Sequence, residues 1–177
     1  MKQKLVILVF TCSALIILTQ TASARGVYQT REAFLNEAFN GSPPKARVIW
    51  LSGENKKNAT EILQHKPDVL RVRYWAVKSK SAWVLNEIGK EQPITVGIIV
   101  ENKKIKRLSV LEYRESRGNE VRHHFFTQQF VDVQLDSEKQ LNKHIDGITG
   151  ATLSVRALKR LAKLALYLDS KRNFKAQ

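Results

Sequence analysis

Apolar residues along this chain recur with two periods, and the switch between them marks strands and helices. Leu70, Val72, Tyr74 and Ala76 alternate with Arg71, Arg73 and Trp75, the period of two expected of a strand with one buried face. A turn near Lys78-Ser79-Lys80 leads to a return strand, Ala82 to Ile88. Ile94 to Val100 is a nearly continuous apolar run, which suits a central strand covered on both faces. Glu101-Asn102-Lys103-Lys104 turns the chain into a partner strand holding Ile105, Leu108, Val110 and Leu111 and leading to Tyr113. Two hairpins therefore form the predicted sheet. Ala46 to Leu51 reads as a further strand, and Val131 to Leu135 alternates like an edge strand.

The helical period appears in three places. Thr30 can cap a short helix whose buried side holds Ala33, Phe34, Leu35 and Ala38, and Asn40-Gly41-Ser42-Pro43-Pro44 stops it. Asn58 to Leu63 reads as a second short helix ending before Pro67. Leu153 to Leu168 is the longest, with Val155, Leu158, Leu161, Ala162, Ala165 and Leu168 on one stripe. Lys171 and Arg172 stand at its end, where positive charge suits the helix dipole. Phe125, Phe126 and Phe130 are expected to anchor a helical or irregular stretch to the core. The fold class is α+β, an antiparallel sheet with helices packed on it.

The first residues follow a different logic. Met1-Lys2-Gln3-Lys4 is basic, Leu5 to Leu18 is almost wholly apolar, and Ala22-Ser23-Ala24 offers a small-x-small cleavage site. This is the pattern of a cleaved export signal over residues 1–24. The apolar run of 14 residues is short of the roughly 20 that cross a bilayer. Residues 25–177 then form one domain of about 150 residues, located in the periplasm. Cys12 is the only cysteine and lies in the signal, which excludes disulfides, thiol chemistry and cysteine-ligated metals from the exported part. The full chain carries a net charge of +14. Such charge often signals nucleic acid, but export argues for anionic lipid heads, acidic redox partners or a ligand's phosphate.

The richest chemistry lies ahead of the last helix, in Asp146-Gly147-Ile148-Thr149-Gly150-Ala151-Thr152-Leu153-Ser154. Gly150 and Ala151 are small and allow close approach to the backbone. A helix start offers unpaired N–H groups and a favourable dipole to a phosphate. Thr152 supplies an oxygen, and Arg156 one turn on can offset negative charge. Asp-x-x-Thr-Gly-Ala-Thr resembles the flavinylation motif of the periplasmic FMN-binding domain. That family occurs in the C subunit of the sodium-pumping NADH:quinone oxidoreductase and the G subunit of its Rnf relative. The resemblance runs from about Val69 to Leu166 and takes in the strand pair Ile94 to Tyr113 and the turn Glu115-Ser116-Arg117-Gly118. Thr149 stands where serine is commoner in the family, and the turn after Glu115 lacks a proline often found there.

The resemblance implies FMN held by a phosphoester on Thr152. Asp146, Thr149, Gly150, Ala151, Leu153, Ser154, Glu115 and Gly118 are the implied cofactor-binding residues. It also implies a magnesium-dependent flavin transferase that takes FMN from FAD, with this chain as its substrate. The expected function is an electron-transfer module serving redox partners of the envelope, a carrier more than a stand-alone catalyst. The competing expectation is an unflavinylated binding or assembly module. His123-His124 lacks metal-ligand spacing and reads as a surface pair, His65 and His144 are isolated, and no metal is expected. Trp50, Trp75, Trp83 and Tyr74 read as packing residues. No serine-hydrolase elbow or phosphate-cradling glycine loop occurs.

Overall fold

The computed structural model describes residues 26–172; the export signal expected over 1–24 lies outside them. Six antiparallel strands form one sheet in the order β1-β6-β5-β4-β3-β2. They are β1 (Gly26–Val27), β2 (Arg47–Trp50), β3 (Arg71–Val77), β4 (Lys80–Ile88), β5 (Pro93–Glu101) and β6 (Lys104–Tyr113). The two predicted hairpins are its centre, and β4 pairs with β5 along its whole length, from Lys80↔Glu101 to Ile88↔Pro93.

Both faces of the sheet are covered. On one side lies α4 (Thr152–Ser170), flanked by α2 (Gly53–Leu63) and by α3 (His124–Thr127) with a short 3-10 turn on either side of it. Val96, Ile98 and Val100 of β5 meet Leu158, Leu161 and Ala165 of α4 in this main core. Burying each leucine fully is worth about 1.5–3 kcal/mol. On the other side α1 (Arg31–Ala38) sets Phe34, Leu35 and Ala38 against Ala82, Ile99 and Leu111. Thr30 caps α1 as expected, accepting from the Ala33 amide at 3.1 Å. The run in β5 is thus apolar throughout because helices cover it from both sides.

Strand β6 contains two irregularities that set its phase. Ile99 pairs with Arg107 but Val100 with Ile105, and Thr95 pairs with Glu112 but Val96 with Val110. One residue is extra at Lys106 and one at Leu111. Each bulge shifts the alternation of faces by one position. Ile105, Leu108, Val110 and Tyr113 therefore all point toward α4, although their spacing breaks a strict period of two. Leu111 points to α1 instead.

Several expectations need correction. Val131 to Leu135 is not a strand. Asp132 has a left-handed φ of 61°, and the segment holds the start of β6 through Asp132 N–H to Ile105 O at 2.8 Å and Ile105 N–H to Val133 O at 2.9 Å. Leu135 makes only an isolated bridge to Leu141. Helix α2 begins at Gly53 rather than Asn58, and its polar, mostly exposed first turn shows no apolar period. Phe126 and Phe130 are buried, but Phe125 is exposed. Trp83 and Tyr74 stack in the core with centroids 5.0 Å apart, whereas Trp50 is exposed on the edge strand beneath the Arg71 guanidinium.

The fit of α1 onto the sheet depends on Gly97. A Cβ there would lie 2.7 Å from the Phe34 ring. Gly97→Ala is expected to lose about 1–3 kcal/mol in urea unfolding through overpacking. The loss should shrink when Phe34 is also cut to leucine, because the two changes share one space.

Candidate functional site

The sequence motif forms the entry into α4. Gly150 is left-handed at φ 82°, and a turn is closed by Ala151 N–H to Ile148 O at 3.0 Å. Ala151 occupies the N-cap position and has no oxygen to offer, so no side chain caps the helix. Thr152 is the first helical residue and is exposed. An uncapped N-terminus leaves amide donors and the positive end of the dipole available to an anion.

Buried and exposed positions interleave in the motif. Asp146, Thr149, Gly150, Thr152 and Leu153 are exposed, while Ala151 and Ser154 are buried. Nothing would lie within 4 Å of a Cβ on Gly147 or Gly150, so solvent space opens beside both. Asp146 takes Gln129 Oε1 on its backbone N–H at 2.8 Å, and its carboxylate stands 3.6 Å from exposed His144. The smallness of Ala151 also serves packing: its methyl would sit 3.3 Å from a Cβ on Gly118.

Gly118 and Ser154 meet through a residue that sequence reasoning assigned no role. Tyr113, fully buried at the end of β6, donates its phenolic hydrogen to Arg117 O. That proton is its only one, so Ser154 Oγ, 2.7 Å away, donates to the phenol oxygen. Burial, more than any other influence, raises the Tyr113 pKa and keeps it a neutral donor. Gly118 has φ 87°, and a Cβ there would fall 2.8 Å from the Tyr113 oxygen and 3.0 Å from Ser154 Oγ. The glycine is required twice, by its backbone and by the close approach. The Arg117–Gly118 turn, the end of β6 and the first turn of α4 thereby form one junction.

Glu115 is placed elsewhere. Its Oε1 accepts from the backbone N–H groups of Lys90, Glu91 (2.7 Å) and Gln92 (3.0 Å). It clamps the turn between β4 and β5. Burial alone would raise its pKa, but the three amides together outweigh burial and hold it below the usual glutamate value. A Cβ on Gly89 would meet this oxygen at 2.8 Å.

A cleft of about 590 Å³ opens beside Thr152, lined by Lys143, His144, Arg156, Lys159, Arg160 and Lys163 among others. Arg156, weighed from the sequence as a charge-neutralising group, lies in it with Thr152. These residues suit a phosphate-bearing group: an exposed hydroxyl, an uncapped helix end and a guanidinium share one opening. Among the described residues no cluster of metal-ligating side chains occurs, and no helix is long and apolar enough to cross a membrane.

Residues 89–167 match the family model of the FMN-binding domain. The match starts at the turn that Glu115 clamps and ends in α4, so the hairpin of β3 and β4, expected to share the resemblance, lies outside it. The crystal structure of Shewanella oneidensis NqrC has a similar fold, with a TM-score of 0.59 and 17% sequence identity over 78% of this chain and 91% of that one. No curated protein matches.

Tyr113→Phe leaves the Ser154 hydroxyl and Arg117 carbonyl without their partner, and is expected to lose about 1–3 kcal/mol in denaturant unfolding. Adding Ser154→Ala should cost less in that background than alone. A second outcome concerns pH. Because the folded pKa of Glu115 is depressed, its contribution is complete above the unfolded value of about 4.3 and fades as pH falls through the folded one. Glu115→Gln should therefore be less stable than the parent at pH 7, with the gap closing below about pH 4.

Proposed function

Because residues 89–167 match the family model of the FMN-binding domain, we propose that this chain is an exported electron carrier whose FMN is esterified through its phosphate to Thr152. The observation that supports the attachment point is the exposed Thr152 side chain on the first residue of an uncapped helix. The remaining phosphate oxygens would meet the N–H groups of that first turn, with Arg156 of the same cleft offsetting the charge.

Attachment exchanges one P–O bond for another. Thr152 Oγ1 bonds to the FMN phosphorus, the pyrophosphate linkage of FAD breaks, and AMP departs. Threonine is a weak nucleophile that needs a base, which we assign, with its magnesium, to a separate flavin transferase that also takes up the hydroxyl proton. Once bound, the flavin supplies one- and two-electron exchange. The chain keeps it from dissociating and holds its tether in place through the Tyr113–Ser154–Gly118 junction. Asp146, Thr149 and Gly150 are exposed around the hydroxyl, where a modifying enzyme can read them. The export signal over 1–24 supports a periplasmic location, and redox proteins of the envelope are the partners.

Mass spectrometry of protein purified from its native envelope should show the peptide containing Thr152 heavier by FMN less one water. The yellow colour should survive denaturation. Thr152→Ala is expected to abolish both, and Thr152→Ser to retain them in part. Native protein without colour, or a coloured Thr152→Ala protein, overturns the assignment.

A further inference from the structure

The cleft beside Thr152 holds more positive charge than a flavin phosphate can use. Lys143 and His144 enter it from the loop before the motif, and Arg156, Lys159, Arg160 and Lys163 from α4. Positions three and four apart share one helix face, so the four α4 cations form a stripe roughly 10 Å long at about 1.5 Å per residue. Like charges at those spacings repel. Carboxylates do little to relieve this. Arg160 is engaged, reaching buried Glu87 at 3.2 Å and Gln64 Oε1 at 2.6 Å. Glu87 is shared with His65 at 3.0 Å, Glu61 is paired with Lys139, and Asp146 faces His144. Lys163 finds only the neutral Gln140 Oε1, at 3.2 Å. Lys143, Arg156, Lys159 and Lys163 form no ion pair among the described residues. Burial first, then Lys159 and Arg160, hold the Lys163 amine below the ordinary lysine value. A phosphodiester carries a single negative charge, which leaves most of this field unmatched.

We infer that the cleft is a docking surface for an acidic segment of a redox-partner protein, which reaches the flavin along the cationic face of α4. The identity of the partner as a redox protein rests on the reading of Thr152; the charge complementarity does not. Electron-transfer encounters bury little surface and depend on charge for speed, with electrostatic steering raising association rates about 10- to 1,000-fold at low salt. A concave opening with cations on its walls suits a protruding acidic segment better than a flat lipid surface. The position also fits, since the stripe begins one turn after Thr152.

A fluorescent oligoglutamate peptide is the probe, with binding to the full mature chain followed by anisotropy across salt. Lys159→Gln/Lys163→Gln should weaken binding about tenfold or more, equivalent to about 1.4 kcal/mol, and flatten its salt dependence. Lys159→Arg/Lys163→Arg should retain it, as should Arg31→Gln/Lys45→Gln outside the cleft. The glutamine pair relieves repulsion, so its thermal midpoint should not fall. Three results overturn the inference: equal affinity for all variants, cleft-dependent binding of inorganic pyrophosphate without binding of the peptide, or cleft-dependent binding to anionic phospholipid vesicles that exceeds peptide binding. Repeating the titration on Thr152→Ala separates the two readings. Peptide binding that persists there, in a chain whose native form is colourless, sinks the flavin assignment alone. Native yellow protein with cleft-independent binding sinks the docking surface alone.

Discussion

The position of the candidate attachment residue depends on one buried phenol. Tyr113 stands at the end of β6 and its oxygen joins the Arg117 carbonyl to the Ser154 hydroxyl. It points at α4 only because the bulge at Leu111 shifts the strand by one residue; in an unbroken register Glu112 would take that place. Gly118 has no Cβ, and one there would crowd the Tyr113 oxygen, Ser154 Oγ and the Ala151 methyl. A hydroxyl two residues from Ser154 is therefore held on a rigid first turn, while the surface beside it stays open. Positioning on this scale, from elements whose own side chains are locked, is what a tethered redox group requires.

The far end of α4 is fixed with equal care. Asp169 is buried, and burial raises its pKa. It accepts from Ser81 Oγ at 2.5 Å, which in turn accepts from Trp83 Nε1 at 2.8 Å. A carboxylate in the last turn opposes the helix dipole, and Arg172, 2.7 Å away, supplies the compensating charge. The helix is thus tied to β6 at its start and to β4 at its end. Its polar face is thereby held in one orientation, so Thr152 and the basic stripe keep a constant direction relative to the sheet.

Much of this was legible in the sequence, and the misses have physical causes. The two hairpins, α1 and α4 could be read because each buries one face and shows its period. Strand β1, two residues long, has no period to show. The 131–135 segment carries an alternating pattern, yet Asp132 turns through the left-handed region and its amides serve β6 instead of a strand neighbour. The motif itself was visible as small residues and hydroxyls before a helix. Its supporting junction was not, because the bulges hide the phase of Tyr113. Nor does spacing reveal that Glu115 reaches back to three amides of another turn, or that Lys143 and α4 share one cleft. Those are tertiary facts, and they give Glu115 a clamping role on the turn between β4 and β5.

Three hydroxyls crowd this motif, and burial distinguishes them. Ser154 Oγ is enclosed and its proton is given to Tyr113, so it is neither accessible nor free to be esterified. Thr149 is exposed, but it lies in the turn before Gly150, ahead of the helix whose amides would receive a phosphate. Thr152 alone is both exposed and the first residue of that helix. In the proposed attachment, a modifying enzyme would meet it with the positive end of the helix dipole facing the phosphate oxygens. The same interleaving that buries Ala151 and Ser154 for packing leaves Thr152 outside, so the stability of the junction and the availability of the hydroxyl are two consequences of one local geometry.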